Sequence, residues 1–233
     1  FLPDVPDDIR ARIVHHACCD ILTAHCSGSK IQGVLIKDID HGLERALTGI
    51  DEAFTGFQVE PGMIIPVRRQ WSGFNDVLND YKSKYRVRAR SALKKAAALQ
   101  VRELDEKNVA AFTNRIMELL QTVAGRSHFH MMHLHPDYFP AMKTALRELF
   151  VVKGFFDGAQ LVGFYSYTRG AGINLAGFVG FDYDRNKTCL LYQNMLYALL
   201  EDAVRDRANF LDLGRTALEI KTTVGAEPVD YRL

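Results

Sequence analysis

Three groups of residues in this chain have the types and spacing to handle a charged ligand. Arg86, Arg90 and Lys94 recur at i, i+4 and i+8 within a run that also holds Lys82, Lys84, Arg88 and Lys95. On a helix they form one cationic line able to clamp phosphates, and interleaved Tyr81, Tyr85 and Val87 suit partial burial against a neighbour. Asp212-Leu213-Gly214-Arg215 closes a short apolar run and Lys221 follows six residues after Arg215, so two cations converge on a glycine at a strand end. Arg185 and Lys187 stand in the polar segment before a long apolar-striped stretch, among Asp182, Asp184 and Asn186. For each group the competing reading is a solvated charged face or a set of turn and cap residues. Four histidines in eight residues, His128, His130, His133 and His135, invite a zinc site. Their alternation with Phe, Met and Leu instead suggests one wet face of an extended segment, and no cysteine or clear carboxylate completes a ligand set, so no metal is expected.

The elements that must position these groups follow from periodicity and punctuation. Ile9, Ile13, Ala17, Ile21 and Leu22 recur at helical spacing, which predicts a helix over 8–24 ended by Gly28. Residues 31–39 (IQGVLIKDI) read as a buried strand, with Asp40 placed to cap a helix to about Ala53. Strands are expected near 56–59 and 63–67 around the Pro61-Gly62 turn, helices over 75–81 and 83–99, a strand near 101–103, and helices over 108–123 and 137–150. Then the pattern changes. Residues 150–156 and 160–167 are strand-type runs joined by Asp157-Gly158, which supplies the positive φ of a primed hairpin turn, and 173–181 adds a third strand. A long amphipathic helix over 190–207, a buried strand at 210–213 and a short helix over 216–223 ended by Gly225 complete the order.

Composition bounds the class. Of the 233 residues, 48% are hydrophobic and 24% charged, so the chain has enough apolar side chain to bury a core and is not of the disordered type. Lys plus Arg, 29, nearly cancel Asp plus Glu, 28, so any anionic partner must be met by a local patch and not by the field of the whole molecule. No apolar run approaches the roughly 20 residues that span a bilayer, and the first residues lack the basic-then-apolar layout of a secretory signal, so no membrane insertion and a cytoplasmic location are expected. Cys18, Cys19, Cys26 and Cys189 have neither metal nor redox spacing and read as reduced core thiols. The chain begins at Phe1 and not at Met and stops just after a strand-like segment, which reads as a piece of a longer protein.

The segments LRELFVVKGFFDGAQLVGFYSY, VGFDYDRNKTCLLYQNMLYALLEDAV and FLDLGRTALEIKTTVGAEP, with KSKYRVRARSALKKA upstream, resemble the GNAT acyltransferases, and more closely their FemAB-type branch. The likeness runs from about Asn75 to Pro228 and rests on the Leu-Gly-Arg-x-x-x-x-x-Lys ending, residues 213–221, together with the basic helix. It implies an α/β (α+β) fold with a GNAT-like mixed central sheet flanked by helices, and tandem GNAT-like units of which the first, 1–72, is incomplete and the second, 73–233, carries the acyltransferase. The echo between the helix, GSKIQGVLIKDI and helix of the N-terminal part and the helix, ANFLDLGR and short helix of the later part is one of pattern. The resemblance implies transfer of an acyl group from an activated donor, acyl-CoA as cosubstrate in the first instance, to a small-molecule or peptide amine. No tightly bound cofactor is expected.

FemAB-type transferases also bring aminoacyl-tRNA as a donor, and a silent GNAT-like binding module is a third reading. On this frame the donor contacts are Arg86, Arg90, Lys94, Arg185, Lys187, Gly214, Arg215 and Lys221. Glu219 is the base, Tyr165 or Tyr167 the proton donor, and the segment with His128 and His130 lines the acceptor pocket. Ordinary GNAT enzymes seat the coenzyme A pyrophosphate on a glycine-containing loop at the start of the long helix. Here 183–190 (YDRNKTCL) has no glycine, so side-chain cations, Arg215 and Lys221 above all, are expected to replace backbone amides.

Overall fold

In the computed structural model, which describes residues 5–26, 29–36, 39–56, 60–126 and 134–230, the change of pattern near Phe150 marks the start of a large antiparallel hairpin. The chain divides into two compact units, Met63–Pro228 and Phe1–Gly62 with Val229–Leu233.

The smaller unit holds α1 (Asp7–Thr23), the two-residue strands β1 (His25–Cys26) and β2 (Ser29–Lys30), and α2 (His41–Ile50). Asp40 caps α2 by accepting from the Leu43 N–H, as its position predicts. Ala11, Ile39, Leu43 and Leu47 form its core. Two expectations fail here. The stripe that predicted α1 is largely outside, with Ile9 and Ile13 41% and 53% exposed, while Ala11 and Cys18 face inward. Residues 31–36, expected as a buried strand, carry no regular structure, and Leu35 is 50% exposed. An apolar run needs a neighbouring strand to pair its backbone, and among the described residues this unit offers only the β1–β2 pair, which lies before the run. Of the thiols, Cys18 is buried, Cys19 exposed and Cys189 intermediate, so Cys19 is not the core thiol expected.

The larger unit is built on β3 (Gly62–Pro66), α3 (Phe74–Asp80), α4 (Ser83–Lys95), β4 (Gln100–Glu103), α5 (Glu106–Ala124), α6 (Tyr138–Leu146), β5 (Phe150–Asp157), β6 (Gln160–Arg169), β7 (Ile173–Phe181), α7 (Tyr183–Cys189), α8 (Leu191–Arg205), β8 (Phe210–Asp212), α9 (Leu218–Thr223) and β9 (Glu227–Val229). Its sheet runs β4-β5-β6-β7-β8-β3-β9. Strands β5, β6 and β7 form the expected antiparallel meander, with Gly158 at φ 58° in the first turn. β7 and β8 pair in parallel, and β8 pairs antiparallel with β3.

Both faces of the sheet are covered, which is why β5 and β6 read as nearly continuous apolar runs. On one face α5 and α6 bury Val109, Ile116, Leu119 and Phe139 against Phe150, Phe156 and Phe164. On the other, α3, α4, α8 and α9 share a core with Tyr165, Tyr167, Leu196, Leu200 and Leu211. α8 supplies most of that second core, with Leu191, Met195, Leu199 and Ala203 all 1% exposed or less.

Candidate functional site

The parallel ladder between β7 and β8 is short: it runs from Ile173 opposite Phe210 to Leu175 opposite Asp212 and stops. From Ala176 on, the edge of β7 that faced β8 has left the ladder, and the β6–β7 register shifts between Tyr165 and Tyr167, a bulge of the kind found beside active sites. The ends of parallel strands that part in this way are where open α/β sheets take ligands.

The loop that leaves β8 at this mouth is tightly held. The Asp212 carboxylate accepts from the Gly214 N–H at 2.7 Å, and the Gly214 carbonyl accepts from the Met63 N–H at 3.1 Å. Lys221, 4% exposed, donates to the carbonyls of Gly214 at 3.1 Å and Arg215 at 2.5 Å, so its ammonium stitches the loop from beneath. Gly214, Thr216 and Ala217 all have positive φ, 68°, 66° and 49°. Glycine accepts that conformation freely, but a β-branched threonine does not, and strain of this kind persists only where the surroundings over-determine it. Glu219 is exposed in the first turn of α9, and Arg215 is half-buried.

The start of α8 lies at the same end of the sheet and is closed. Residues 183–190, expected as a loop, form the one-turn-plus helix α7, capped by Asp182, which accepts from the N–H groups of Asp184 and Arg185. Leu190 turns the chain in the left-handed region at φ 51°, and the Asn186 side-chain carbonyl then accepts from the Tyr192 N–H at 2.9 Å. Asn194 donates to the carbonyls of Cys189, Leu190 and Ala92. Charges around α7 also balance. Arg185 pairs with Asp157 and Lys187 with Asp184, while Arg126 lies over the Tyr183 ring at 3.6 Å. These three cations face Asp157, Asp182 and Asp184, so the segment exerts little net pull on an anion.

On the solvent flank of α4, Arg86 is half-buried and Arg90 and Lys94 are exposed, while Ala89 and Ala92 pack inward. The helix enters beside α9: Tyr81 donates to the Val224 carbonyl at 2.7 Å.

Tyr165 and Tyr167 lie beneath the sheet in an ionic network with α8. Tyr165 donates to Asp202 at 2.8 Å, and the same carboxylate binds Lys153 at 2.6 Å and Arg205 at 2.8 Å. Tyr167 donates to Asp206 at 3.0 Å, beside Arg169 at 2.9 Å and Asn174 at 3.0 Å. Burial, and then the neighbouring carboxylates, push both phenol pKa values well up. His128 and His130 lie outside the described residues. Among those described, no group of His, Cys, Asp and Glu is placed to hold a metal ion, and no helix is long and apolar enough to cross a membrane.

The sequence matches no protein-family model and no curated protein. Solved structures do match. FemX superimposes with a TM-score of 0.62 at 11% identity, over 100% of this chain and 82% of that one. The C-terminal domain of a candidate lysylphosphatidylglycerol synthetase from Agrobacterium fabrum gives 0.56 at 10% identity, and the L-PGS of Bacillus licheniformis 0.51 at 13%. This chain covers 84% and 74% of itself in those two matches but spans only 65% and 49% of their lengths.

The fold is GNAT-like. Within it β7, α8 and β8 form a strand, long helix and parallel strand in succession, and the mouth described above lies where β7 and β8 part. The Lys221 bonds bring Gly214, Arg215 and Lys221 together there, while Glu219 is exposed on α9 between Arg215 and Lys221 in the chain.

At the C-terminal end of α8 a cleft of about 640 Å3 is lined by residues 67–73 together with Glu201, Val204, Arg205, Arg207, Ala208 and Asn209. Four arginines, Arg68, Arg69, Arg205 and Arg207, share it with Trp71. The signal was present as an Arg-Arg-Gln-Trp run and as Arg205-Asp-Arg207, but the two segments are more than 130 residues apart and meet only through β3 and β8.

Proposed function

We propose that the larger unit is an acyltransferase domain whose reaction takes place at the mouth between β7 and β8. The observation that carries this reading is the strained loop Gly214–Ala217, clamped by buried Lys221 where the parallel ladder stops. A strained, over-determined loop at a parting sheet is what a preorganised site requires. In the proposed reaction an acceptor amine attacks the carbonyl of an activated ester or thioester. Main-chain N–H groups on the freed edge of β7 stabilise the oxyanion, Glu219 takes the proton lost by the nitrogen, and the leaving oxygen or sulfur departs with a proton from solvent. The Tyr165 and Tyr167 hydroxyls are already engaged by Asp202 and Asp206, and in this scheme they brace α8 and take no part in proton transfer.

A specific observation favours one donor over the other. The start of α8, which would receive the pyrophosphate of coenzyme A, is capped by Asn186 and flanked by balanced charges. That moves the reading from acyl-CoA to an aminoacyl-tRNA, whose phosphates would lie along Arg86, Arg90 and Lys94 and whose reactive end would reach Arg215. The lysylphosphatidylglycerol synthetase, whose name denotes an aminoacyl product, is consistent with this donor class. The match to FemX over the whole chain supports reading the N-terminal residues as part of a first GNAT-like unit.

The test is thermal melting with coenzyme A, acetyl-CoA and tRNA, since only a ligand of the native state raises the midpoint. A rise with tRNA that falls steeply with salt is expected. A rise with coenzyme A alone would restore the acyl-CoA reading, and no rise with any of them would leave the mouth without a donor and overturn the proposal. Glu219→Gln should then lower turnover while leaving donor affinity intact.

A further inference from the structure

We propose that the arginine cleft at the C-terminal end of α8 is a binding site for a nucleoside phosphate. It is separate from the mouth between β7 and β8 and does not depend on the acyl-transfer reading.

The lining is strongly one-sided, with four guanidinium groups against the single carboxylate of Glu201. Two of the four are engaged: Arg68 pairs with Asp80 at 3.1 Å, and Arg205 pairs with Asp202 and Asp206. Arg69 and Arg207 are exposed and make no ion pair with any described residue. Guanidinium groups crowded in a concavity repel one another unless an anion lies between them, and their planar fork fits phosphate oxygens two at a time.

Arg207 occupies a position that its backbone disfavours. It follows the last turn of α8 with φ 54°, donating to the Val204 carbonyl while Ala208 reaches back to Ala203. This is the helix-ending arrangement in which glycine is preferred. A side chain that must be held in the left-handed region puts its guanidinium into the cleft at a cost in stability. The carbonyls that end α8 are meanwhile partly satisfied by those same N–H groups, so the negative end of the helix does not cancel the cations.

Trp71 identifies the rest of the ligand. Its indole N–H is fixed on Asp80 at 2.6 Å, and the ring remains half-buried at the cleft wall beside Gln70 and Asn209. Arg68 lies over one face of that ring at 5.7 Å, so a base would stack on the other face, where the neighbouring amides can meet its polar rim. The volume, about 640 Å3, is that of a small-molecule pocket and suits a nucleotide.

Trp71 is the sole tryptophan of the chain, so its fluorescence reports this cleft directly. The full chain is titrated with ADP, adenosine, pyrophosphate and a short single-stranded RNA at constant ionic strength. ADP or RNA should quench Trp71 saturably, and adenosine should bind at least about tenfold more weakly for want of phosphate contacts. Preference for ADP assigns a free nucleotide, and preference for RNA assigns a nucleotide within a strand. Arg69→Ala and Arg207→Gly should each weaken binding by about tenfold. Arg207→Gly should melt no lower than the parent, so its loss of affinity cannot be attributed to unfolding. Lys107→Ala, exposed on α5, should leave binding unchanged. An unresponsive Trp71 with both ADP and RNA, or an affinity indifferent to the loss of both Arg69 and Arg207, would overturn the proposal.

Discussion

The two ends of α8 are held by different chemistry. At its start the contacts are neutral amides: Asn186 caps the Tyr192 N–H and Asn194 donates to three carbonyls. At its end they are charges, with Asp202 and Asp206 bound to Lys153, Arg169 and Arg205. Asn186 takes up one of the N–H groups an anion would use, so the start of the helix is less open to an anion than its dipole alone would make it. Carboxylates buried beneath the sheet instead require cations around them, and the arginines that gather there extend beyond the network into an open cleft. At both ends of α8 the side chains around the terminus, and not the helix dipole alone, set the local charge.

The largest test of that contrast is at Asp202. Its carboxylate is 3% exposed and faces Lys153, itself 11% exposed, so Asp202→Asn leaves a buried ammonium without its counter-charge. A loss of about 3–5 kcal/mol is expected in urea denaturation. Replacing the buried partners together, Lys153→Met and Tyr165→Phe with Asp202→Leu, should recover much of it, and a single-variant loss below about 1 kcal/mol would mean that the end of α8 is held by packing and not by charge.

Acid provides the next. Burial tends to raise the Asp206 pKa, but hydrogen bonds from Arg169, Asn174 and Tyr167 outweigh it and hold the carboxyl below its ordinary value. A depressed folded pKa means stability that is complete above the unfolded value of about 3.9 and is lost as pH falls through the folded one. Stability measured from pH 6 to pH 2 should decline in that window, and Asp206→Asn should remove this part of the decline.

Effects at the amide-held start are smaller. Asn186→Ala should cost about 1 kcal/mol, the usual worth of a cap, seen as a lower melting midpoint. If the cap is what closes this end, coenzyme A should raise the midpoint of the variant and not that of the parent. Smallest of all, Arg207→Gly relieves a left-handed arginine and should gain up to about 1 kcal/mol in the same measurement. A loss there would show that the Arg207 side chain packs more than its exposure suggests.

Much of the larger unit was legible in local pattern. Alternating and continuous apolar runs, the Asp157-Gly158 turn and the long stripe of α8 each depend on neighbours a few residues away, and they predict β5, β6, β7 and α8 to within a residue or two at most ends. The smaller unit was less so. Ile9 and Ile13 lie at helical spacing yet outside the core, because spacing says that a helix has a face and not which face finds a partner.

By itself the sequence determined the GNAT-like element order, the glycine-free segment before α8 and the nearness of Gly214, Arg215 and Lys221, since each is set by residues close in the chain. Tertiary structure alone decided how those residues are used. It turned Lys221 inward onto two carbonyls, engaged Tyr165 and Tyr167 with carboxylates, and capped α8 with Asn186. It also joined Arg68 and Arg69 to Arg205 and Arg207. Hydrogen bonds and fields act over a few ångströms of space, and sheet pairing can bring together side chains that the chain separates by more than a hundred residues.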